Sequence, residues 1–141
     1  MRPCPGNHEY VEPFIEQRGE LRRLWLRKPR AIGERILVVR KGFSVPRPPP
    51  NRKIILLDVR GAFGTGGHGT TEGCLIALEL HVAGGKTVLD VGTGTGILAI
   101  AARKLGAGRV TAIDIDLAAC KEAMGNISLN GLEKEIDVVA G

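Results

Sequence analysis

The chain has 141 residues, 43% of them hydrophobic, and a net charge of +5, which fits one domain with a single core. Pro3 and Pro5 break up the N-terminus, and no apolar run reaches the roughly 20 residues that cross a bilayer. Nothing in the sequence resembles a signal peptide or a membrane helix, and a cytoplasmic protein is expected.

Charge and composition divide the chain near residue 60. All eight prolines lie at or before Pro50, whereas 16 of the 20 glycines lie from Gly61 onward. Residues 1–60 carry a net +8 and residues 61–141 a net −3. We read 1–60 as a basic, Pro/Arg-rich segment and linker, and 61–141 as the ligand-binding domain. A basic segment on a near-neutral domain suggests an acidic partner such as RNA or a ribosomal surface, the plain alternative being a solubilising extension. Cys4, Cys74 and Cys120 are widely spaced and form no CxxC pair, which argues against a disulfide framework. Cys4 and His8 lack the second pair of ligands that a closed zinc site requires, so no metal is expected.

In chain order, residues 9–28 carry an interrupted helical pattern, broken by Pro13 and Gly19. Ile36–Val39 and Ile54–Leu57 read as two strands joined by SVPRPPPN, an exposed loop stiffened by proline. Gly61–Gly69 is a glycine-rich loop, and Thr70–Val82 a helix with Thr70 or Thr71 as its N-cap. Thr87–Val91 is a buried strand, and Ile97–Leu105 a helix ended by Gly106. Arg109–Ile113 is a second strand, and Leu117–Leu129 a helix stopped near Asn130-Gly131. Ile136–Val139 opens a third strand. Strands alternating with helices at this spacing make βαβ units, hence an α/β fold with a parallel sheet.

The chemistry concentrates at Asp90-Val91-Gly92-Thr93-Gly94-Thr95-Gly96. A buried strand runs into three alternating glycines and then directly into a helix. Glycine suits a turn with unusual backbone angles and lets a ligand approach the main chain, while the helix N-terminus offers free N–H groups. Asp114 ends the second strand, 22 residues after Gly92. In a doubly wound sheet that position lies beside the first glycine loop, where a carboxylate accepts both ribose hydroxyl protons. Asp116 reads as the cap of the next helix. Position 97 is Ile, so the dinucleotide spacing GxGxxG is not met, and no GxxxxGK[ST] occurs. GxGxG with Asp90 just upstream ranks S-adenosyl-L-methionine above NAD as the ligand.

The stretch Ala62-Phe63-Gly64-Thr65-Gly66-Gly67-His68-Gly69-Thr70-Thr71, followed by VLDVGTGTGILAIAARKLGA and AIDID, resembles the PrmA family, methyltransferases of large-subunit ribosomal protein eleven. The resemblance is ungapped over about 61–131, weaker over 21–60 and absent from the first twenty residues. It implies a Rossmann-like class I methyltransferase fold that uses S-adenosyl-L-methionine and methylates protein amino groups, lysine or an N-terminal amine. By this resemblance Thr71 touches the cofactor, Gly92 begins the loop around its methionyl part, Asp114 holds the ribose and Ile115 packs on the adenine. Phe63 and Gly64, Thr65 and Gly66 form a lid over the methionine end, and Asp90, Gly94 and Gly96 complete the cofactor set. His68 reads as a loop-shaping residue and His81 as structural, and no catalytic acid or base is nominated.

Two departures from the family shape the expectations. Where the family has a compact substrate-recognition domain, this chain has about 40 weakly patterned residues. The class I fold continues beyond the third strand, whereas this sequence reaches Gly141 there, so it reads as C-terminally incomplete, with the first half of the parallel sheet only. The first strand is then expected to carry an open apolar edge through which chains self-associate. The alternatives are an RNA methyltransferase, suggested by the basic segment, and a non-catalytic cofactor-binding module.

Overall fold

The computed structural model describes residues 28–59 and 68–141. The helical pattern expected before Lys28 and the loop residues 61–67 lie outside the described residues.

Among the described residues, two three-stranded sheets enclose two of three helices. The first sheet contains β1 (Arg30–Ile32), β2 (Ile36–Arg40) and β3 (Lys53–Leu57), in that order. β1 and β2 are antiparallel and β2 and β3 parallel, so the proline loop between them is a crossover and not a hairpin. The three residues of β1 carry no readable periodicity, so this strand is not among the expected elements. It forms because Gly33, at φ +55, reverses the chain and pairs Ile32 with Ile36. Helix α1 (Gly69–His81) fastens the reversal: the Glu79 carboxylate accepts from the N–H groups of Glu34, at 2.9 Å, and Arg35, at 2.8 Å.

The second sheet is β4 (Thr87–Val91), β5 (Arg109–Asp114) and β6 (Ile136–Ala140), all parallel and in sequential order. Helices α2 (Ile97–Lys104) and α3 (Leu117–Leu129) make the crossovers. The expected elements are present with ends shifted by one residue or not at all. One capping expectation is corrected. The N-cap of α1 is His68, and Thr70 and Thr71 lie in the first turn, where the Thr70 hydroxyl meets His68 Nδ1 at 2.9 Å.

Helix α2 touches β3 on one side and β4 and β5 on the other, and α3 touches β3, β5 and β6. Both helices therefore lie between the sheets, which explains why the sequence ILAIAA is apolar all round. Ala99, Ile100, Ala101 and Ala102 are fully buried. Ile32, Ile36, Ile55 and Leu57 join Ile100, Val110 and Ile127 in one core, so packing is continuous across residue 60.

The N-terminal strands do not pair with β4. One edge of β4 meets β5, and among the described residues no strand meets the other. Val88 and Asp90 turn toward the helices, and the opposite face is bare: Leu89 is 60% and Val91 70% exposed. The expectation that Thr87–Val91 is a buried strand is therefore corrected: only the face turned to the helices is covered, because no described element packs on the other.

Candidate functional site

The site forms where β4 and β5 deliver their C-terminal ends. Gly92, Gly94 and Gly96 all have positive φ, at +74, +55 and +81. Other residues rarely adopt these angles, so the alternating glycines are a backbone requirement. Space decides the remainder. A Cβ on Gly92 would meet nothing within 4 Å, leaving its backbone open to a ligand. A Cβ on Gly96 would lie 3.2 Å from Ala123 Cα, because Gly96 rests directly on α3.

Two carboxylates organise this turn from opposite sides. Asp90 is buried beneath it, accepting from the Thr93 hydroxyl at 2.6 Å and from the Ala99 N–H at 3.2 Å. Burial pushes the Asp90 carboxyl above its ordinary value, against the pull of those two donors. Asp114 is only partly buried, at the tip of β5. It accepts from the Gly94 N–H at 2.9 Å through one oxygen and from the Asp116 N–H at 3.0 Å through the other. The N–H groups of Asp116 and then Gly94 hold its carboxyl below the ordinary range, so it is an anion at neutral pH. Each carboxylate oxygen has two acceptor sites, so Asp114 keeps capacity for further donors.

Ile115 follows, 88% exposed, an apolar side chain standing free beside a charged one. Asp116 caps α3 as expected, accepting from the Ala118 N–H at 2.8 Å. Thr71 is half-buried in the first turn of α1. The structure thus brings Asp90, Gly92, Gly94, Gly96, Asp114 and Ile115 together at one end of the second sheet. Phe63, Gly64, Thr65 and Gly66 lie outside the described residues. No group of three or more His, Cys, Asp or Glu side chains that could hold a metal ion occurs among the described residues.

Reading the sequence missed one contributor. Asn126 is 1% exposed, and its Nδ2 donates to the Thr95 carbonyl at 2.9 Å. The available signal was Asn126 inside α3, one turn before the C-cap Asn130, since asparagine is a poor choice for a helix interior unless its amide has a partner.

A carboxylate beside a left-handed glycine turn is thus carried on an α/β sheet, and this arrangement can be set beside known proteins. The family model described as ribosomal protein L11 methyltransferase (PrmA) matches residues 22–141. The ribosomal protein L11 methyltransferase of Pelotomaculum thermopropionicum is 48% identical over 114 residues, 81% of this chain and 37% of the relative. That of Chloroflexus aurantiacus is 47% identical over 110 residues, 78% of this chain and 33% of the relative. The crystal structure of the ribosomal protein L11 methylase from Lactobacillus delbrueckii subsp. bulgaricus superposes with a TM-score of 0.69 at 34% identity, covering 79% of this chain and 55% of that one. The chain thus spans about a third of the length of these curated relatives. The loop, the carboxylate beside it, the α/β fold and the match from residue 22 onward agree: the chain belongs to the ribosomal protein L11 methyltransferase (PrmA) family.

Proposed function

We propose that this protein is the cofactor-binding part of an S-adenosyl-L-methionine-dependent protein methyltransferase whose acceptor is an amino group, lysine or N-terminal, of a ribosomal protein. The observation that carries the reading is Asp114, an anion tied to the Gly94 N–H at 2.9 Å with acceptor capacity to spare. The fit of S-adenosyl-L-methionine rests on three features. Asp114 can take two hydroxyl protons of a ribose, the exposed Ile115 offers an apolar surface for a purine, and Gly92 leaves room for close main-chain approach.

In this reading Asp114, Ile115, Gly92 and Thr71 hold the cofactor, with Asp90, Gly94 and Gly96 shaping the loop and Phe63, Gly64, Thr65 and Gly66 as the lid that the resemblance implies over the methionine end. The cofactor supplies a methyl group already activated on a sulfonium, so the protein's work is proximity and alignment for an in-line displacement by a neutral amine. Partial desolvation of the acceptor favours that neutral form. No acid–base pair is assigned.

Residues 1–60 form the basic segment of the proposed division and 61–141 the cofactor-binding domain. The net +8 of residues 1–60 supports contact with a ribosomal surface or its RNA, and a ribosomal substrate suits a cytoplasmic location. No helix of the described residues is long and apolar enough to cross a membrane. The test is titration calorimetry of the chain with S-adenosylhomocysteine and with NAD. Binding of the first and not the second is expected; the reverse preference would overturn the assignment.

A further inference from the structure

Asn126 lies in the interior of α3, yet both ends of its amide reach other parts of the chain. Nδ2 donates to the Thr95 carbonyl in the glycine loop at 2.9 Å. Oδ1 accepts from the Asp58 N–H, just after β3, at 2.7 Å. One turn earlier on the same face, Ala123 supports Gly96, with 3.2 Å between its Cα and the place where a Cβ would stand. One turn later, the Asn130 amide accepts from the Leu56 N–H at 3.0 Å and donates to the Leu56 carbonyl at 2.7 Å. The three side chains form a rail on α3 on which the glycine loop and the outer edge of β3 are both seated.

The two asparagines differ in what they hold. Asn130 reaches β3 and the Asn126 carbonyl of its own helix, whereas Asn126 alone of the pair touches the glycine loop. Thr95 is fully buried, so its carbonyl has no water to fall back on if the amide is withdrawn. Losing that donor frees the segment between Gly94 and Gly96, where the Gly94 N–H must point at Asp114. We propose that Asn126 is a positioning residue for the cofactor site: through Thr95 it fixes the glycine loop against Asp114 and ties the loop's position to the end of β3. The consequence for cofactor binding rests on the methyltransferase reading above; the consequence for loop order does not.

The test compares Asn126→Asp with Asn130→Ala in the full chain. Asn126→Asp keeps an acceptor for the Asp58 N–H but has no donor for the Thr95 carbonyl. Asn130→Ala releases the β3 edge without touching the loop. Affinity for S-adenosylhomocysteine is read by calorimetry, thermal stability by circular dichroism, and loop order by hydrogen exchange at the amides of residues 92–96. Asn126→Asp is expected to weaken binding about tenfold or more and to speed exchange across the loop. Asn130→Ala is expected to lower the melting temperature while binding and loop exchange stay at parental values. Equal loss of affinity in both variants, in step with melting temperature, would overturn the proposal, as would unchanged loop exchange in Asn126→Asp. A parental chain that fails to bind would sink the methyltransferase reading, and the exchange comparison would still decide the positioning role.

Discussion

Asn130 pairs with Leu56 as a strand residue would, its side-chain amide accepting from the Leu56 N–H at 3.0 Å and donating to the Leu56 carbonyl at 2.7 Å. A helix side chain thereby completes the outer edge of β3, across 74 positions of sequence. Asn130→Ala leaves both backbone groups without these partners. A loss of about 1–3 kcal/mol is expected, the cost of unmade buried hydrogen bonds. Urea unfolding monitored by circular dichroism measures it, and a change below about 0.5 kcal/mol, the range of ordinary surface substitutions, would contradict the pairing.

Gly96 and Gly92 share a positive φ and differ in surroundings, which separates two costs. Gly92→Ala should bear only the left-handed backbone penalty of about 1–2 kcal/mol. Gly96→Ala should cost more, because its methyl also meets Ala123. Adding Ala123→Gly to Gly96→Ala should recover part of the steric share and none of the backbone share. Thermal melts of the parent and the three variants form the comparison; equal losses for Gly92→Ala and Gly96→Ala would exclude a role for the contact with Ala123.

Asp114→Ala removes the proposed ribose acceptor, and cofactor affinity should fall by about 1.5–3 kcal/mol, as for hydrogen bonds to charged groups. Because the folded carboxyl is held below its ordinary 3.8, its contribution to stability is present above that value and is lost only as pH falls through the lowered one. Binding should therefore be insensitive to Asp114 protonation throughout the neutral range. Calorimetry of parent and variant checks both statements. Equal affinity in the two would remove Asp114 from the site.

Asp90 has the opposite sign. Its folded carboxyl is raised above 3.8 by burial, so the stability associated with it is fully present below 3.8 and declines as pH rises through the raised value. Asp90→Asn abolishes that decline. Relative to the parent, the variant should gain ground as pH rises from 3.8 through the raised value, whatever constant offset its altered hydrogen bonds impose. Melting temperatures across that interval give the slope, and a difference that does not change with pH would refute the burial argument.

Leu89 and Val91, 60% and 70% exposed on a strand whose second edge meets no strand among the described residues, are where the proposed self-association would occur. Leu89→Lys with Val91→Lys should shift the chain toward monomer in sedimentation velocity, with fold stability changed by no more than about 0.5 kcal/mol. Self-association at the parental level in the double variant would exclude this face.

The glycine turn was legible in the sequence because its causes are local. Positive φ at Gly92, Gly94 and Gly96, the Asp116 cap and the alternation of strands with helices each depend on neighbours within one turn or one βαβ unit. Asp114 was legible for a related reason, since the length of one helix and one strand fixes where a parallel strand ends. What lay beyond the sequence depends on distant partners. β1 exists because Gly33 and Glu79 fold it onto β2, and the parallel pairing of β2 with β3 spans a proline loop whose composition suggests only exposure. The pattern of α2 says that it is buried, and only packing reveals that it is enclosed by two sheets. Asn126 and Asn130 look like weak helix residues beside a stop signal. Their amides acquire partners 31, 68 and 74 positions away, and hydrogen bonds across such separations exist only once the core has brought the elements together.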